Sequence, residues 1–185
     1  NALPFHNIRR VSVFGKGSTK NFYYGGSGSG GSAGAGQKTV FDSLEAAGFE
    51  YNPVLRKFYE DDSRSGTGAV GGSIFGGSGS TVGETPIEDY DASLEGSMNI
   101  YNDAAIVMIS RGGGEGYDLE RTNSVDFRGD ESKPGYTQHH YLELSQNESK
   151  MLEYVKKRFS KITIVLNSAE AFELGELEND DAISS

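Results

Sequence analysis

Apolar residues in this chain gather into short runs, each bracketed by polar or glycine-rich stretches. Residues 9 to 15, RRVSVFG, read as a buried strand that opens into a glycine turn. DAAIVMIS (103 to 110) and KITIVLNS (161 to 168) are apolar runs of strand length. FEYN, from Phe49, predicts one more short strand. Between these runs the apolar period lengthens. In KTVFDSLEAAG (38 to 48), Val40, Leu44 and Ala47 fall at helical spacing and Gly48 marks a stop. NPVLRKFYEDD (52 to 62) opens with asparagine and then proline, a favourable cap and first-turn pair. IEDYDASLEGSMNIY (87 to 101) is a helix candidate weakened by Gly96. SQNESKMLEYVKKRF (145 to 159) carries Ser145 as N-cap, Glu148 three residues later, and a stripe of Met151, Leu152, Val155 and Phe159. AEAFELGEL, which follows the last strand, suits a short helix or turn.

Strands alternating with helices predict an α/β fold, a three-layer α/β/α sandwich around a mostly parallel sheet. Ligands of such sheets meet the loops at the carboxyl ends of the strands. GKGSTKNFYYGGSGSG, from Gly15, and RGGGEGYD, from Arg111, both leave from strand ends and are expected on one rim. A further Gly/Ser-rich stretch at about 65 to 86 falls between two helical patterns and reads as a mobile surface insertion.

Charge and composition remove several classes of function. The 185 residues carry 17 Lys+Arg against 27 Asp+Glu, a net charge of −10, which argues against a nucleic-acid partner. No apolar run approaches the roughly 18 residues of a membrane span, so a soluble chain without a membrane partner is expected. With no cysteine there is no disulfide framework, thiol nucleophile or thiolate metal site. The compartment stays open, the cytoplasm favoured over secretion. NALPFHNIRR lacks a signal-peptide pattern and does not start at methionine, so the chain reads as a truncated piece of a longer product.

GKGSTK is not a phosphate loop, and it lacks the third glycine of a dinucleotide fingerprint. His6, His139 and His140 show neither the i, i+4 spacing nor the accompanying carboxylate of a metal site. They read as solvent-facing loop histidines, and no metal is expected. Glu173, Glu176, Glu178, Asp180 and Asp181 read as a solvated acidic face. Glu115 is different, because SRGGGEGYD sets three glycines before it and one after. Glycine serves where backbone must bend tightly or let something approach. The spacing suggests a displayed carboxylate, although an exposed loop glutamate fits the spacing too.

NALPF, VSVFGKGS, GGSGSG, LEAAGFEYNPVLRKFY, DAAIVMISRGGGEGYDL, YLELSQNESKMLEYVKK and KITIVLNSAEAFELGELE follow one another in a familiar order. Together they resemble the α/β-sandwich domain of the family 3 glycoside hydrolases, the β-glucosidase family. The resemblance covers nearly the whole chain apart from 65 to 86. It implies a retaining hydrolase of an oligosaccharide or glycoside, needing no cofactor, whose active site straddles two domains. A TIM-like barrel domain of the same polypeptide would supply the aspartate nucleophile, and the sandwich the acid/base glutamate. Glu115 matches that glutamate. In relatives a serine of the first glycine-rich loop can touch the sugar; Ser29 is the choice here, with Ser27 the alternative. This chain has no barrel, so alone it is expected to be inactive, and it stops where relatives continue with further strand–helix units. The other readings are a non-catalytic carbohydrate-binding or interaction module on the same fold and, more weakly, a nucleotide-binding domain.

Overall fold

The computed structural model describes residues 3, 5–19, 38–65, 83–111, 126, 140–168 and 171–185. Four strands, β1 (Arg10–Phe14), β2 (Glu50–Tyr51), β3 (Ala104–Arg111) and β4 (Ile162–Ser168), form one all-parallel sheet in the order β2-β1-β3-β4. Because side chains alternate across a strand, β3 feeds two cores. Ala105, Val107 and Ile109 join a cluster with Leu55, Phe58, Leu94, Met151 and Val155. Ala104, Ile106 and Met108 join Val11, Val13, Phe41 and Leu44. β3 is buried at every position, which is why its sequence is a continuous apolar run rather than an alternating one.

The helices follow the sequence signals with two corrections. α1 (Val40–Ala46) is started by a capping box in which Thr39 and Asp42 bond each other's backbone N–H groups. It buries Phe41 and Leu44, whereas Ala47 lies past its end and is exposed. Gly48, at φ +84°, follows the helix end as the sequence signal set it, while the buried face includes Phe41 with Leu44 instead of Ala47. The helix expected over 87 to 101 is instead a 3-10 turn (Ile87–Asp89) followed by α4 (Ala92–Met98). Asp91 breaks it, its carboxylate accepting the N–H groups of Ser93 and Leu94 at 3.0 Å each. α2 (Pro53–Glu60) and α5 (Gln146–Lys156) keep the caps read from sequence, Asn52 and the Ser145/Glu148 box. The buried Asn52 amide also donates to Ser97 Oγ at 2.9 Å, joining α2 to α4. Phe159 lies beyond α5 yet is buried, its ring edge-on to Phe14 at 5.6 Å. The short helices α3 (Asp62–Ser65) and α6 (Gly175–Glu178) complete the set.

Ser184 and Ser185 lie along the outer edge of β4, with Ser184 N–H bonded to Ile162 O (2.9 Å) and Ile164 N–H to Ser185 O (2.8 Å). Among the described residues no helix is long and apolar enough to cross a membrane.

Leu55 is wholly buried in the larger core. Leu55→Ala removes three heavy atoms and leaves a cavity, and is expected to cost about 2–5 kcal/mol in chemical denaturation.

Candidate functional site at the ends of β1 and β3

The chain runs from β1 outward to β2, then crosses back to β3 on the other side of β1. That reversal opens a crevice at the carboxyl ends of β1 and β3, where ligands of open α/β sheets bind. Both strands reach it in register, with Phe14 opposite Val107. Beyond Phe14 the chain turns at once through a 3-10 turn, Lys16–Ser18. Gly15 has φ +98°, and a Cβ there would lie 2.2 Å from Met108 O. A Cβ on Gly17 would lie 2.4 Å from Ser110 Oγ. Two glycines thus bring the turn against the end of β3. The segments starting at residues 20 and 112 therefore leave from neighbouring stems, as the strand reading expected.

Lys16 is wholly buried in this turn. Its ammonium donates to Tyr59 O (2.7 Å), Asp62 Oδ1 (2.8 Å) and Ser65 Oγ (2.9 Å), which uses all three donors. Its backbone N–H donates to Glu84 Oε2 at 2.7 Å, and Glu84 Oε1 accepts from Thr85 N–H at 2.9 Å. Asn147 Nδ2 donates to Glu84 O at 2.8 Å, joining this stretch to the start of α5. Ser65, Glu84 and Thr85, at the borders of the expected Gly/Ser insertion, are thus buried parts of the frame.

Arg111 closes the other side. Its guanidinium is buried and uses all five N–H groups: to Tyr141 O (2.7 Å), Ser110 O (2.9 Å), Glu143 O (2.6 Å) and both oxygens of Glu148 (2.7 and 2.6 Å). Burial works against the charge on Arg111, and the Glu148 carboxylate outweighs it, holding the guanidinium's pKa above its ordinary value. The residues this guanidinium binds lie at either end of the segment from 112 to 139, so the segment leaves and returns through one clamp. Asp126 accepts from Asn147 N–H at 3.0 Å. Burial, with the Glu148 charge adding to it, raises its carboxyl above the ordinary range. Burial likewise pushes Glu84 up to about 8, against the two backbone N–H groups that favour its ionised form. Among the described residues, Ser110 Oγ and Asp126 Oδ1 are buried without a hydrogen-bond partner. An open pocket of about 430 Å³ lies on the α1 side of the sheet, lined by Val40 and Ser43 with Met108, Val165 and Leu166.

The two residues singled out for chemistry, Glu115 and Ser29, lie outside the described residues, as do Ser27 and His139. His140 is described, and the expectation of a histidine without carboxylates is overturned. Its Nε2 lies 3.0 Å from Glu143 Oε1 and 3.1 Å from Glu173 Oε1. A chain turn brings Glu143 round, and Glu173 comes from beyond β4, so sequence spacing gave no sign of it. Glu173 remains exposed, as the reading of a solvated acidic face expected, whereas Asp180 is half-buried and its carboxylate bonds Lys156 Nζ at 2.7 Å. Lys16, Glu84, Arg111 and Asp126 were not identified from sequence. A lysine beside two glycines and an arginine closing an apolar strand were their only marks.

No family model and no curated protein matches this sequence. Solved structures do match its fold. β-Glucosidase 3B from Thermotoga neapolitana, in complex with glycerol, superposes over 99% of this chain with a TM-score of 0.66 at 22% identity. The same enzyme in complex with α-D-glucose superposes over 97% with a TM-score of 0.64 at 21% identity. A β-glucosidase from Paenibacillus barengoltzii superposes over 91% with a TM-score of 0.61 at 22% identity. The likeness is one of fold. This chain spans 23% of the length of the Thermotoga enzyme and 16% of the Paenibacillus enzyme.

Two measurements test the frame. Arg111→Met strands the buried Glu148 carboxylate and is expected to cost about 3–5 kcal/mol, with the double variant Arg111→Met/Glu148→Gln recovering part of the loss. If the double variant is no more stable than the single, the pair is not what holds the clamp. The second concerns Glu84. From pH 4.5 to about 8 the unfolded chain has lost this proton while the folded chain keeps it. Stability therefore falls as pH rises through that window and levels off above it. Thermal unfolding between pH 5 and 9 should show this slope, and Glu84→Gln should flatten it whatever its effect on absolute stability.

Proposed function

We propose that this chain is part of the α/β-sandwich domain of a retaining glycoside hydrolase of the β-glucosidase type, family 3. Its role is to carry the acid/base glutamate, Glu115, into a site completed by a barrel domain of the same polypeptide. The observation that carries this reading is the pair of glycine-rich segments leaving from adjacent strand ends at the reversal of the sheet. The matching fold of β-glucosidases, one of them in complex with glucose, supports it.

Retaining hydrolysis needs two carboxyl groups about 5–5.5 Å apart on opposite faces of the sugar ring. One attacks the anomeric carbon while the other protonates the leaving oxygen, then deprotonates the water that releases the sugar. Asp118 and Glu120 share one segment with Glu115, and a single glycine-rich segment cannot easily hold two carboxylates across a ring. The nucleophile is therefore assigned to the barrel. Glu115 follows the clamped Arg111 by four residues, which gives the proton donor a fixed root. Ser29, in the other segment, is assigned a contact to the sugar.

In the full-length enzyme, Glu115→Ala should slow cleavage of glycosides with poor leaving groups far more than that of activated aryl glycosides. With the activated substrate, release of the sugar becomes limiting, and added azide should restore turnover by displacing the enzyme carboxylate from the anomeric carbon. The product is a glycosyl azide of retained configuration. Equal slowing of good and poor leaving groups, with no response to azide, would make Glu115 a binding or structural residue.

A further inference from the structure

We infer that His140, Glu143 and Glu173 form a divalent transition-metal site, with Zn²⁺ the preferred ion, an assignment that does not depend on the proposed sugar chemistry. The three donor atoms lie within 4.8 Å of one another, and His140 Nε2 is 3.0 and 3.1 Å from the two carboxylate oxygens. Ligands held about 2.0–2.2 Å from zinc at tetrahedral angles stand about 3.3–3.6 Å apart. The two histidine–carboxylate separations are within a few tenths of an ångström of that, and rotation of the exposed Glu173 side chain can close the third, which is at most 4.8 Å. A cation between the three groups would meet one imidazole nitrogen and two carboxylate oxygens.

The backbone presents these ligands without help from the ion. Glu143 N–H bonds His140 O at 3.0 Å, and Glu173 N–H bonds Leu142 O at 2.9 Å. The carbonyls of Tyr141 and Glu143 are fixed in turn by the Arg111 guanidinium. The side chains are 43%, 30% and 58% exposed, which leaves a path for the ion and room for water to complete its coordination. One imidazole nitrogen with two carboxylates suits zinc, whereas magnesium and calcium prefer all-oxygen sets. Bound there, the ion would tie the turn after the 112–139 segment to the stretch beyond β4.

The test is calorimetric titration of the metal-stripped chain with ZnCl₂, with thermal unfolding in parallel. One saturating site and a raised Tm are expected, with no comparable response to MgCl₂. His140→Ala, at a half-buried position, and Glu173→Gln, at an exposed one, should each weaken zinc binding by about tenfold or more. His6→Ala, remote in sequence, should not. Absence of saturable zinc binding, or binding that His140→Ala leaves unchanged, overturns the assignment.

Discussion

The fork of Arg111 decides where the rest of the rim sits. A buried guanidinium is costly unless every N–H finds an acceptor, and here all five do, two of them in a bidentate pair with Glu148. Removing Glu148 from that geometry would leave a charge with no water to soften it. The requirement fixes three things together: the end of β3, the turn at 141 to 143, and the first turn of α5. Glu148 serves twice, since its Oε2 also accepts Ser145 N–H in the capping box. Helix initiation and the closing of the long segment thus share one carboxylate.

The same economy appears across the crevice. Lys16 and Glu84 use a side chain and a backbone amide of adjacent elements to pull α2, α3 and the stretch at 83 to 85 under the end of β1. Two buried polar assemblies therefore flank the point where the sheet reverses, each built around a buried cation, Lys16 in one and Arg111 in the other. The apolar core positions the strands, and these polar contacts position what leaves them.

The elements were legible in the sequence because their signals are local. β3 and β4 are apolar runs, Asn52 and Ser145 are caps, and each does in the fold what its local pattern says. The errors came where two local signals competed. Asp91 offers a cap inside what looked like one helix, and Ala47, counted on the buried face of α1, is its C-cap beside the Gly48 stop. The polar frame was illegible for a different reason. Lys16 meets Asp62 at a separation of 46 residues, Arg111 meets Glu148 at 37, and nothing in either neighbourhood names the partner. Glu173 beside His140 is the same case. Glu115 and Ser29, which lie outside the described residues, rest on the sequence motif and on the stems from which their segments depart.

Lys16 has a consequence of a chemical kind. An amine with no exposed surface and three acceptors around it is closed to acylating reagents for as long as the turn stays shut. Surface lysines react from the folded state; Lys16 reacts only when β1's turn lifts from α2 and α3. Its labelling rate is therefore set by how often the base of the crevice opens, and the chain carries its own clock for that motion.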